Sequence, residues 1–193
     1  VPSGKLGDIS TLSFAPSKPL PCFGNGGMVL TDNEKEADMI RSLRYHAVGT
    51  GKLDHGYNSC LSNDHANILN FLLGKYKGLQ AKTKKVRKWY EDKLLDMGIS
   101  SIQTRNGTTS NNHKLVIKVD DRDGLRSFLD KKDIETQVHY QQPMNKMKMF
   151  DTGQQMPNAE KFCTNVLSLP IYPFIKKTEV LYVCKCIGEY YGI

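Results

Sequence analysis

Apolar residues in this chain change rhythm twice: short runs broken by proline and glycine come first, then a long helical spacing, then short alternating segments. Residues 9–14 and 28–31 read as two strands, the second entered from a glycine turn at Gly24, Gly26 and Gly27. Asn33 is placed to cap a following helix, with Glu36 at the capping-box position and Ala37, Ile40 and Leu43 continuing it toward His46. A glycine-rich polar loop then fills residues 48–63. From Ser62 or Asn63, the positions Ile68, Leu69, Leu72, Leu73 and Tyr76, followed by Val86, Tyr90, Leu94 and Met97, predict one long helix. Gly98 is its expected stop, and a bend is expected near Gly74 or Gly78.

Beyond Gly98 the pattern alternates. Strands are expected at 115–119, 134–139 and 166–169, with helices opening at Asp121 or Asp123, at Pro157 and at Thr178, the last reaching Tyr191. This describes a small α+β domain on a modest sheet. The expected division is 1–80 and 81–193, with the front part too one-sided to close a sheet of its own. The chain opens on Val1 rather than methionine, which adds to the expectation that it is the later half of a longer protein.

Composition narrows the function classes. At 193 residues and 39% hydrophobic the chain can bury a core, and no run of about 18 apolar residues suggests a membrane span. No secretory leader is visible at the start. The net charge of +7 suits a polyanionic or phosphorylated partner, but much of it lies in 75–93 around Val86, Trp89 and Tyr90, as on a solvated helix face. No aromatic-plus-basic strand accompanies it, so nucleic acid is not the expected partner. The five scattered cysteines have no zinc-type spacing and read as reduced thiols of a cytoplasmic protein. No metal site, nucleophile triad or Walker or Rossmann glycine pattern is expected; His46, His55 and His113 lack ligand spacing.

Chemistry concentrates in Ser13-Phe14-Ala15-Pro16-Ser17-Lys18, which precedes the glycine turn and the strand Met28-Val29-Leu30-Thr31. A lysine just past a buried strand, between prolines, has its stem held and its ammonium partly desolvated. Those conditions suit a nucleophilic amine, although taken alone the local pattern is better accounted for by a surface lysine in a proline–glycine loop. Five segments then occur in one order: S-F-x-P-x-K, G-x-G-G-M-V-x-T with Asp32, the helix with Ile40, Arg41, Leu43 and Arg44, Gly56-Tyr57-Asn58, and His139-Tyr140 with Pro143. With the tail Val166-Leu167-Ser168-Leu169-Pro170-Ile171-Tyr172-Pro173, this order resembles the DegT/DnrJ/StrS family of nucleotide-sugar aminotransferases from about Gly7 onward.

The resemblance implies an α/β protein of the pyridoxal-phosphate (PLP) transferase fold type I, like aspartate aminotransferase: the end of a large domain plus a small C-terminal domain. It implies PLP as cofactor, with Lys18 as the catalytic lysine that holds it covalently and moves the proton. Ser13 matches a hydroxyl on the cofactor phosphate. Asn58 matches an asparagine reaching the phosphate of the neighbouring subunit's cofactor in a homodimer with shared sites, and His139 matches a position contacting the substrate. Implied reactants are a glutamate-type amino donor and a nucleotide-linked keto sugar. Lysine rather than histidine at position 18 speaks for transamination over removal of a sugar hydroxyl. Cys60 stands where the family carries arginine, Asn63-Asp64-His65-Ala66 departs from its usual helix opening, and its N-terminal half has no counterpart here. The competing expectation is a non-catalytic dimerisation or regulatory module.

Overall fold

The computed structural model describes residues 2–49 and 55–193, so residues 50–54 of the predicted loop lie outside the described part. The chain forms two compact units, Val1–Lys77 and Gly78–Ile193.

In the first unit, β1 (Ile9–Ser13) and β2 (Gly27–Thr31) pair antiparallel, Ile9 opposite Thr31 and Ser13 opposite Gly27. Side chains alternate across a strand, so this register puts Leu12 and Met28 on one face and Ile9 and Val29 on the other. All four are exposed, and the ribbon presents apolar groups on both sides. Helix α1 (Glu34–Leu43) starts as expected at Asn33, whose side chain accepts from the N–H groups of Lys35 and Glu36 at 3.0 and 3.4 Å. The predicted reciprocal bond from Glu36 does not form. Glu36 instead accepts from the Thr31 hydroxyl at 2.9 Å, tying the helix to the end of β2. Helix α2 (Asn63–Asp96) begins in this unit at the expected Asn63 and runs through Gly74 and Gly78 as one element. Its Leu69 packs with Phe14 and Cys22, flanked by Leu20 and Leu61, to give the unit its small core.

The second unit has the larger core. From α2 come Val86, Tyr90 and Leu94, spaced four apart on one stripe. The helix ends with Gly98 left-handed at φ 70°; Ile99 donates to Leu94 O and Gly98 to Leu95 O, which satisfies its last carbonyls. Strand β3 (Leu115–Lys118) pairs antiparallel with β4 (Val166–Leu169), Leu115 opposite Leu169. Single bridges extend the sheet on either side, Ser101 to Ile117 and Gln137 to Ser168. The strand expected over 134–139 is therefore one bridge at Gln137, because the chain meets β4 at a single residue before turning away. Helix α3 (Arg122–Asp130) is capped by Asp121, α4 (Pro157–Asn165) carries proline in its first turn, and α5 (Lys177–Tyr191) has its cap at Lys176 rather than at the expected Thr178. Lys176 caps α5, its N–H donating to the Glu179 carboxylate at 2.6 Å. Leu125 and Leu129 of α3 and Val180, Val183 and Ile187 of α5 close over the sheet. Arg87, with little exposed surface, donates to Glu91 and to the carbonyl of Ile102, both at 2.8 Å, fastening α2 to the strand edge.

Tyr90 is fully buried, and among the described residues its hydroxyl has no hydrogen-bond partner. Burial pushes its pKa well above the usual tyrosine value. An unmet buried hydroxyl carries a desolvation cost of about 1–3 kcal/mol. Tyr90→Phe is therefore expected to raise Tm by about 2–12 °C in a thermal melt, and a fall instead would show a partner for that oxygen. Asp121 accepts from the Tyr190 hydroxyl and from Gly124 N–H, and these bonds hold its carboxyl below the ordinary range. A depressed folded-state pKa gives stability that is present above the unfolded value, near 4, and lost as pH falls through the folded value. Asp121→Asn should flatten that acid limb in denaturant titrations between about pH 5 and pH 2. Because the hydrogen bond to Asp121 also pushes the Tyr190 phenol up to about 12, the substitution should lessen the loss of stability above about pH 10 as well.

Candidate active site

Lys18 sits at the last position of a turn in which its N–H donates to Ala15 O at 2.9 Å. Pro16 occupies the second turn position, where its fixed φ is already suitable, and Pro19 restrains Lys18 from the other side. The turn belongs to a segment pinned at both ends on Phe14. Phe14 N donates to Gly26 O at 2.8 Å, and Phe14 O accepts from Cys22 N at 2.8 Å. The Cys22 thiol donates to the same carbonyl at 3.2 Å and lies 3.1 Å from Gly24 O. With Phe14 and Cys22 buried, the excursion that carries Lys18 is anchored in the unit's core. Lys18 itself is half-buried. Ser13, the last residue of β1, is exposed, and its oxygen accepts from Ala15 N at 3.4 Å. Ala15 thus bonds to both Ser13 and Lys18, and the serine proton remains available to an anion.

Asn58 lies on the other arm of the unit. It bridges to Tyr45, and around it Tyr57 donates to Leu43 O at 2.7 Å, His46 to Tyr57 O at 3.0 Å and Ser59 to Arg44 O at 3.0 Å. His46 and Ala47 are both left-handed, at φ 58° and 61°. Gly56 passes so close to their backbone that any Cβ there would collide with it. The carboxamide of Asn58 is exposed, and among the described residues of this unit no hydrogen bond joins it to Ser13 or Lys18. Cys60 lies 3.6 Å from Arg44 O, so this thiol faces the backbone of the same arm.

His139 belongs to the second unit. It lines a cavity of about 630 Å³ whose wall also includes Glu135, Gln137, Tyr172, Glu179 and Tyr182. Its Nδ1 is 2.8 Å from the hydroxyl of Ser168. Neither Ser168 nor Cys22 stands out as functional in the sequence. The available signals were a lone hydroxyl inside the apolar run 166–169 and a cysteine directly after Pro21. Among the described residues no cluster of histidine, cysteine or carboxylate groups could hold a metal, and no helix is long and apolar enough to cross a membrane. All five cysteines are unpaired.

The family model for DegT/DnrJ/EryC1/StrS aminotransferases matches residues 2–188, and the chain belongs to that family. It is 32% identical to a pleiotropic regulatory protein of Geobacillus stearothermophilus, over 97% of this chain and 53% of the relative. It is 30% identical to UDP-2-acetamido-2-deoxy-3-oxo-D-glucuronate aminotransferase of Pseudomonas aeruginosa, over 96% and 52%. Among solved structures, DesV of S. venezuelae, in complex with a ketimine intermediate, superposes with a TM-score of 0.86 at 30% identity, over 95% of this chain and 52% of that one. The chain therefore spans about half the length of the relatives it matches. Its architecture is that of the PLP-dependent transferases of fold type I, and aminotransferases of the family are PLP-dependent.

The donor set of the first unit suits such a cofactor: an amine for its aldehyde and a hydroxyl for its phosphate, beside close-packed glycines. A Cβ on Gly26 would lie 2.7 Å from Cys22 Sγ and 3.1 Å from Leu61. Cys22 belongs to the small core and its thiol is held on Phe14 O, so it cannot withdraw cheaply, while Leu61 flanks that core. Gly26→Ala is expected to cost about 1–3 kcal/mol of stability, as overpacking does. It should also speed proteolysis within residues 14–26, compared by timed digestion with an exposed-glycine control such as Gly7→Ala, where a Cβ meets only Ile9 O at 3.4 Å.

Proposed function

We propose that this chain forms part of a PLP-dependent aminotransferase that moves an amino group from a glutamate-type donor to a keto group on a nucleotide-linked sugar. The observation that carries this reading is the placement of Lys18, half-buried at the end of a proline-set turn whose base is fixed on Phe14, with the Ser13 hydroxyl bonded to the same Ala15. Bound there, PLP would supply the electron sink for proton transfer at the amino-bearing carbon.

Lys18 provides the amine that captures the cofactor and then carries the proton, and the Pro16 turn limits the directions its stem can take. Ser13 donates its remaining proton to the phosphate. Asn58, exposed on its arm, reaches the phosphate in the neighbouring subunit of a homodimer that shares its sites. His139 contacts the sugar substrate from the small domain. The chain's positive balance favours a diphosphate-bearing reactant, and the setting is cytoplasmic. The domain division that goes with this reading is 1–80 and 81–193.

A second reading, a non-catalytic dimerisation or regulatory relative, draws on Cys60. That thiol replaces a cation able to hold an anion and lies against Arg44 O.

One experiment separates the two. The protein at its natural length, purified with PLP, should absorb in the visible. Borohydride should bleach it and add the cofactor's mass to the peptide carrying Lys18. Lys18→Ala should lose the fixed label, and transamination of a nucleotide keto sugar should fall by about a hundred- to ten-thousand-fold, the range for a lost proton-transfer group. A colourless protein that takes up no PLP, or a label on another lysine, overturns the first reading.

A further inference from the structure

Ser168 is 4% exposed, in a strand whose four residues are all buried. Its backbone is fixed on both sides, opposite Val116 in β3 and bonded to Gln137 through both N–H and C=O at 2.8 and 3.1 Å. A hydroxyl in this position must place its proton on an acceptor, since a buried donor left unmet is costly. The partner that the structure gives it is His139 Nδ1 at 2.8 Å. Were Nδ1 protonated, the ring would donate to the serine oxygen, and the serine proton would have to turn to the cavity that Ser168 also lines, since among the described residues no other hydrogen bond of this hydroxyl is found. The opposite polarity satisfies both groups.

We infer that Ser168 is a positioning residue for His139: its hydroxyl donates to Nδ1, fixing the ring in one rotamer and in the neutral form that carries its proton on Nε2. The ring that lines the cavity then carries its N–H on Nε2, a donor of the kind that suits an acceptor oxygen such as a sugar hydroxyl or keto oxygen. The role toward the sugar rests on the aminotransferase reading, whereas the state of the ring does not.

Threonine and valine at position 168 have the same shape and differ by the hydroxyl, so the pair separates hydrogen bonding from packing. In the natural-length protein with ¹⁵N-labelled histidine, long-range ¹H–¹⁵N spectra above pH 8, where imidazole is neutral, report the tautomer, with His139→Gln assigning the signals. The Nε2–H form is expected in the parent and in Ser168→Thr, and a mixture of both forms in Ser168→Val. In kinetics, Ser168→Val should lower kcat/KM for the sugar half-reaction about five- to tenfold, the worth of one neutral hydrogen bond. Ser168→Thr should stay near the parent, and the amino-donor half-reaction should be unchanged in both. An Nδ1–H ring in the parent, or a tautomer that valine leaves unaltered, overturns the positioning role. Altered tautomer with unchanged sugar kinetics overturns the substrate-facing part alone. If the parent protein shows no transamination, the failure belongs to the proposed function, and the tautomer comparison still decides the role of Ser168.

Discussion

The first unit depends on one residue having both its backbone and its side chain committed. Phe14 donates to Gly26, accepts twice from Cys22 and buries its ring against Leu69. Everything between positions 14 and 26 is therefore a closed excursion with a fixed base. That matters for a lysine, whose four-carbon stem would otherwise sample many rotamers at an entropic cost. With the base closed and Pro16 and Pro19 on either side, most of the backbone freedom is removed before any ligand arrives. Preorganisation of this kind is what a covalent capture site requires, because a misplaced amine loses rate even when its chemistry is intact.

The two units bury their apolar residues very differently. In the second, β4 is covered on both faces, and Leu115, Ile117, Leu125, Leu167 and Ile187 have essentially no exposed surface. In the first, three residues form the buried cluster, while the β1–β2 ribbon exposes Ile9, Leu12, Met28 and Val29. An antiparallel ribbon with apolar groups on both sides normally lies inside a larger sheet or against other elements. Both sheets carry apolar residues on opposite faces, and the contrast lies in coverage, since β4 is buried on both faces whereas Ile9, Leu12, Met28 and Val29 are exposed.

Much of the architecture was legible in the sequence where a period was long or a cap was chemically distinctive. The spacing of Val86, Tyr90 and Leu94, the Asn33 and Asp121 caps and the stop at Gly98 all appear where the pattern put them. The failures share a cause, which is that a tertiary partner decided between equivalent local options. Glu36 could have closed a capping box but found Thr31. The run 134–139 had strand character, yet only Gln137 meets a neighbour. Thr178 looked like a cap, but Glu179 reaching back to Lys176 fixes the start of α5. For the candidate site, proline and a strand end frame Lys18 and Ser13, but that frame fits a surface lysine as well, and the family order was needed to single them out. Asn58 and His139 came forward only through the family pattern, and the structure puts them on a separate arm and in the other unit. Ser168 was invisible as a functional residue, because nothing in an apolar run announces that its hydroxyl faces a histidine.

The two cysteines of the first unit differ sharply in access: Cys60 is exposed, and Cys22, at 1% exposure, hydrogen-bonds the carbonyl that closes the lysine segment. A thiol reagent should therefore modify the former at once and the latter only when that closure lifts. The chain thus carries an internal clock, in which the lag between the two alkylations measures how often the lysine-bearing segment opens.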